Sequence, residues 1–157
     1  MSEGIGQLNM TTVKPTETAK VIIKNNIYLS LSTTINLIPW VAPLYYAVSD
    51  NYTFYFISQL DSLHTQHILK NPQIAFAIFD SHQKEGTGNG VQGSGKAYLL
   101  KEEELPEAFK WYHTTYIEMK AESFKEPAPY RFFKIIPEHF YVQDPDAPTD
   151  KRVEVQL

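Results

Sequence analysis

SQLDSLHTQHILKNP, running from Ser58 to Pro72, joins a strongly strand-like run to a short helix through hydroxyl and imidazole side chains. A strand that ends on serine and hands over to a helix makes a natural anion cradle. The helix start turns unpaired backbone N–H groups and the positive end of its dipole toward whatever sits there. Ser58, Ser62 and His64 add donors without bulk. Asp61 or Ser62 is equally an ordinary N-cap, so the junction by itself leaves a phosphate cradle and a plain helix start both open. Pro72 closes the helix, because the residue before proline disfavours helical backbone.

Outward from this junction the chain reads as strands. YTFYFIS (52–58) leads in, and WVAPLYYAVSD (40–50) precedes it across the turn residues Ser49, Asp50 and Asn51, so these two are expected to pair as a hairpin. Pro43 inside the earlier run cannot donate to a ladder, which demands a sheet edge, a bulge, or something other than a strand alongside. Further back, NIYLSLSTT alternates Ile27, Leu29 and Leu31 with Tyr28, Ser30 and Ser32, the period of a half-buried strand, and INLIP turns the chain. A first helix is expected from Pro15 and Thr16, with Ala19, Ile22 and Ile23 as its apolar stripe and Asn25 and Asn26 as its stop. Residues 1 to 14 lack periodicity and read as a loose arm.

On the C-terminal side, QIAFAIFD (73–80) is nearly continuous in apolar residues and is expected to be the most buried strand. SHQKEGTGNG is a loop by composition, and GVQGSGKAYLL follows as a strand whose three glycines allow close approach of backbone or ligand. EEELPEAFKWYHTTYIEMKAE reads as the second substantial helix, with acids in its first turn and an aromatic stripe. YRFFKIIPEHFYVQD gives one or two strands broken at Pro137, and KRVEVQL gives a last one. Six or seven strands, two helices and one helical turn make a mainly β protein, a small antiparallel barrel with peripheral helices.

The bulk numbers narrow the function classes. A chain of 157 residues suits one domain, alone or completed by a partner chain. Fourteen basic residues against eighteen acidic ones give a formal charge of −4, which argues against nucleic acid and against a membrane-directed basic patch. Only Arg131 and Arg152 are arginines, and arginine is the usual fork for phosphate. The absence of cysteine removes disulfides, thiolate metal sites and a cysteine nucleophile. With no charged and apolar leader and no long apolar run, a cytoplasmic protein is the expectation.

Few motifs carry chemistry. His64 and His67, three apart on the short helix, could begin a metal site, but no third ligand is near in sequence, and a hydrogen-bonding His64 with a solvated His67 is the better reading. In GVQGSGKA, Lys96 is followed by Ala97 and strand residues, so it is not a phosphate loop. No GxSxG exists, which disfavours a nucleophile elbow. Gln92, flanked by Gly90 and Gly93, can present a donor and an acceptor to a heterocycle edge, or simply be a surface glutamine. His113 and His139 read as packing residues, and His82 has no evident partner.

The order of these pieces resembles the FMN-binding split-barrel proteins of the pyridoxamine 5'-phosphate oxidase-like superfamily. It is carried by LSTTINLIPWVAPLYYAVSDNYTFYFISQLDSLHTQHILKNPQIAFAIFD followed by GVQGSGKAYLL, and YRFFKIIPEHFYVQDP resembles the closing strands. The resemblance implies a homodimer of six-stranded antiparallel Greek-key barrels, with FMN at the subunit interface and its phosphate at the strand-to-helix junction. On matching positions, Ile57 and Ser58 end the flavin-contacting strand, and Ser62 and His64 take the phosphate places. Trp40, Val41, Ala42 and Pro43 line the isoalloxazine, and Gln92 approaches from the partner chain. The chain departs from the oxidases proper at Ala42, Ala47 and Leu63, where that family carries basic residues. Vitamin B6 oxidation is therefore not expected. What is expected is an FMN-dependent oxidoreductase acting on a small molecule, or a flavin-binding or ligand-sensing module that does not turn over, with its cofactor kept or lost.

Overall fold

A computed structural model describes residues 14–157, so nearly all of the arm expected over residues 1–14 lies outside it. Helix α1 (Pro15–Asn25) starts on proline, carries Glu17 in its first turn and Lys24 in its last, and buries Ala19 and Ile23 one turn apart. Strand β1 (Tyr28–Ile35) then alternates, with Leu29, Leu31 and Thr33 inward. Asn36 and Leu37, at φ 48° and 64°, turn the chain directly into β2 (Ile38–Tyr45). Two left-handed residues match the twist of a tight hairpin, although leucine is an uncommon occupant.

This pairing corrects the expected hairpin. The stretch 40–50 is divided: β2 pairs with β1 along its whole length, and only the two-residue strand β3 (Ala47–Val48) pairs with β4 (Phe54–Gln59). Tyr46 lies between the two, its side chain buried and its hydroxyl donating to the Ile23 carbonyl at 2.6 Å, which anchors the break to α1. Helix α2 (Leu63–Lys70) follows β4, then come β5 (Gln73–Phe79), β6 (Gly90–Leu99), α3 (Leu105–Trp111), β7 (Tyr130–Gln143) and β8 (Arg152–Val155).

All eight strands among the described residues join one antiparallel sheet in the order β2-β1-β5-β6-β7-β4-β3, with β8 also on β7. The sheet curls until β2 and β4, near its two ends, approach each other, and α2 packs on β1 and β2. The result is a split barrel. Pro43 sits on the terminal strand, where its missing N–H costs no ladder bond on the free side. Phe54, Phe56, Phe76, Phe133 and Phe140 fill the interior under α1, and a second cluster of Tyr55, Phe124 and Phe132 lies beneath α3.

Three further expectations are corrected. Strand β5 is not buried on both sides: Ile74, Phe76 and Ile78 face the core, while Gln73, Ala75 and Phe79 are exposed and Ala77 half-buried, because nothing among the described residues covers the outer face. The helix expected over 102–122 is cut short. A three-residue 3-10 turn (Glu102–Glu104) leads into α3, which ends at Trp111, since Tyr112 turns extended to insert under Tyr45 and beside Phe132. The β-branched Thr114 and Thr115 do not resume it. Finally, β7 is one fourteen-residue strand; Pro137 is absorbed at a register shift opposite Ser94 and Gly95.

Candidate functional site

Strand β4 runs inward on Phe56 and Ser58, and the turn Gln59–Ser62 brings the chain straight back into α2. Three polar groups meet there. Ser58 Oγ lies 2.8 Å from His64 Nε2 and 3.1 Å from Ser62 Oγ, and Ser62 Oγ lies 3.3 Å from the same ring nitrogen. Ser62 is the N-cap residue, yet its side chain caps no backbone N–H. Its hydroxyl contacts the Gln59 carbonyl and Thr65 Oγ1 instead, at 3.0 and 2.7 Å. The first-turn N–H groups of α2 therefore have no side-chain acceptor. Two hydroxyls, one imidazole and a free helix start form a donor set that fits a phosphate group, whose oxygens are acceptors.

The electrostatics are modest. Burial, reinforced by neighbouring His67, holds the His64 imidazole below its ordinary value, so the ring is neutral at pH 7 and offers one N–H rather than a charge. Arg131, absent from the sequence-derived site, is the cross-strand partner of Ser58 and lies buried. Its guanidinium donates to the carbonyls of Ala128 and Tyr130, and no carboxylate pairs with it among the described residues. The sequence signal was its rarity; only the register places it beside the cradle.

His67 corrects an expectation. It is buried rather than solvated, with Nδ1 3.1 Å from the hydroxyl of buried Thr33 on β1. The two histidines of α2 thus bond to different strands, and no three metal-ligating side chains gather among the described residues.

The remaining sequence-derived residues divide. Trp40, Val41 and Pro43 are exposed on β2, Ala42 between them is buried, and Ile57 is half-buried on the opposite face of β4 from Ser58, against the second cluster. Gln92 stands apart, exposed on β6 between Ala77 and Tyr141 in register. His139 is not buried packing but donates from Nδ1 to the Glu154 carboxylate at 2.7 Å at the surface. No helix among the described residues is long and apolar enough to cross a membrane.

A sequence model of the family described as Pyridoxamine 5'-phosphate oxidase matches residues 15–144. No curated protein matches the chain. Among solved structures it is similar to a heme binding protein from Mycobacterium smegmatis, at TM-score 0.71 and 14% identity over 93% of this chain and 59% of that one. An FAD binding protein from Mycobacterium smegmatis aligns at TM-score 0.62 and 17% identity, covering 92% of this chain and 98% of that one. A FAD-binding protein from Mesorhizobium loti aligns at TM-score 0.61 and 20% identity, covering 79% and 88%. At these identities the likeness speaks to the fold.

Proposed function

The chain belongs to the pyridoxamine 5'-phosphate oxidase family, and from that premise we propose that it is an FMN-dependent oxidoreductase of a small molecule, without the charged pocket of a vitamin B6 oxidase. The observation that carries this reading is the meeting of Ser58, Ser62 and His64 within 3.3 Å at the uncapped start of α2.

In this reading the two hydroxyls, the His64 N–H and the first-turn N–H groups of α2 hold the FMN phosphate. Arg131 adds a buried positive charge on the same face as Ser58. Trp40, Val41 and Pro43, exposed on the edge strand around buried Ala42, meet the flavin ring with Ile57, and Gln92 of a second copy reaches it with its amide. Bound FMN would supply the hydride or electron transfer, which suits a site with no evident general acid or base. A homodimer is supported by the exposed apolar edge, where Leu37, Ile38, Trp40 and Val41 are 94%, 66%, 45% and 58% accessible in one protomer.

One observation favours a second reading, a flavin-binding module without turnover: the three groups that meet at the cradle include no lysine or arginine, and its histidine is neutral. Adding NADH or NADPH to the FMN-loaded protein separates the two. Bleaching of the flavin band followed by reoxidation in air supports the enzyme, and an unchanged band with either donor supports the module.

A further inference from the structure

A cavity of about 530 Å³ opens between the end of the β1–β2 hairpin and the segment after α3. Tyr28, Tyr45, Tyr112, His113 and Tyr116 line it with two threonines, and no lysine, arginine, aspartate or glutamate is among its described lining residues. Its volume falls within the range of small-molecule sites, roughly 300 to 1,000 Å³. Three of the rings are already locked edge to face: Tyr28 and Tyr45 at 5.8 Å between centroids, Tyr45 and Tyr112 at 5.5 Å. Tyr112 is buried and packs in turn on Phe132. These three rings are thus packed on one another before any ligand arrives.

We propose that this tyrosine-walled cavity is the substrate pocket and takes an uncharged planar aromatic molecule. Its place on β2 connects it to the site above. Val41, Pro43 and Tyr45 alternate with the buried Ala42 and Leu44, so they share one face of the strand. Two residues of strand separate Tyr45 from Pro43, about 7 Å. A ligand against Tyr45 is therefore next to the stretch assigned to the flavin ring; the label of substrate rests on that reading, whereas the binding does not.

The ligand class follows from the lining. Flat rings offer stacking and edge contacts to another flat ring, and the phenol hydroxyls offer hydrogen bonds to a ring nitrogen or carbonyl. An anion is disfavoured, since no lysine or arginine among the described lining residues offsets the loss of its hydration. A cation would draw on the tyrosine faces, but no carboxylate among these residues balances the loss of its hydration.

Isothermal titration calorimetry at pH 8 with quinoline, N-methylquinolinium and quinoline-4-carboxylate tests this on the full chain, because the three differ mainly in charge. Quinoline binding at least about tenfold tighter than either ion is the expected result, with about a tenfold loss in Tyr45→Ala and in Tyr112→Ala, and less than about threefold in Tyr112→Phe. Tyr98→Ala, outside this cavity, leaves binding unchanged. Tyr45 is partly exposed, so Tyr45→Ala carries the test if the Tyr112→Ala protein does not fold. Undetectable quinoline binding, tighter binding of either ion, or full affinity in Tyr45→Ala overturns the proposal. FMN uptake is read separately from the visible spectrum. Quinoline binding without FMN uptake sinks the flavin reading alone, and FMN uptake without quinoline binding sinks this one alone.

Discussion

Ser58 Oγ and His64 Nε2 lie 2.8 Å apart, tying the end of β4 to the first turn of α2 across a six-residue separation. If this contact organises a phosphate site, His64→Ala and Ser62→Ala each weaken FMN binding by about tenfold, in line with roughly 1.5 kcal/mol for one hydrogen bond to a charged group. Flavin fluorescence quenching gives the affinities. Wild-type affinity in both variants would remove these side chains from the site.

His67→Ala acts differently. The variant loses the buried bond to Thr33 and leaves a cavity between α2 and β1, so it lowers folding stability by about 2 to 4 kcal/mol while the folded protein keeps its FMN affinity. Urea unfolding and flavin titration on the same sample check both halves.

His64 gives a pH dependence with a definite sign. Its folded pKa lies below the ordinary 6.5, so the unfolded chain takes up a proton near pH 6.5 that the folded chain accepts only at lower pH. The stability from the neutral ring is complete above about pH 6.5 and is lost as pH falls through the folded pKa. His64→Gln should flatten this part of the profile. A wild-type midpoint in urea that stays level between pH 7 and 5, matching the variant, contradicts the assignment.

Gly95 sits at the register shift between β6 and β7, where a Cβ would come within 2.3 Å of the Ile136 carbonyl oxygen and 2.8 Å of Pro137 Cα. At Gly93 the obstacle is the Phe76 ring, 2.2 Å away. A side chain can rotate where backbone cannot, so Gly95→Ala is expected to destabilise more than Gly93→Ala, each by at least about 1 kcal/mol. Thermal unfolding ranks them, and the reverse order would show that the core ring is the stiffer obstacle.

The exposed edge of β2 gives a prediction on assembly. Sedimentation velocity should return a dimer, and Val41→Asp should shift it toward monomer by placing a charge on that apolar face. A wild-type monomer at micromolar concentration would remove the shared flavin site.

Much of the barrel was legible because its residues alternate. Leu29, Leu31 and Thr33, or Ile74, Phe76 and Ile78, announce a core face by period alone. Proline at 15 and 72 marked where helices begin and end. Pairing was less legible: the turn residues after Val48 pointed to one hairpin, while Asn36 and Leu37, a less usual turn pair, made the longer one. Tyr112 left its helix for a reason seen only in space, the pocket between Tyr45 and Phe132. The cradle was legible in type, since serines and a histidine at a helix start invite an anion. The buried roles of His67 and Arg131 were not, because each depends on a residue more than thirty positions away, Thr33 in one case and Ser58 in the other.

The central claim is that the junction of β4 and α2 holds the phosphate of a flavin. Titrating flavin-free protein in parallel with FMN and with riboflavin, which lacks only that phosphate, tests it most directly. FMN binding at least about tenfold tighter than riboflavin, with the difference abolished in a Ser58→Ala, His64→Ala double variant, is the predicted result. Equal affinities for the two flavins, or uptake of neither, would contradict it.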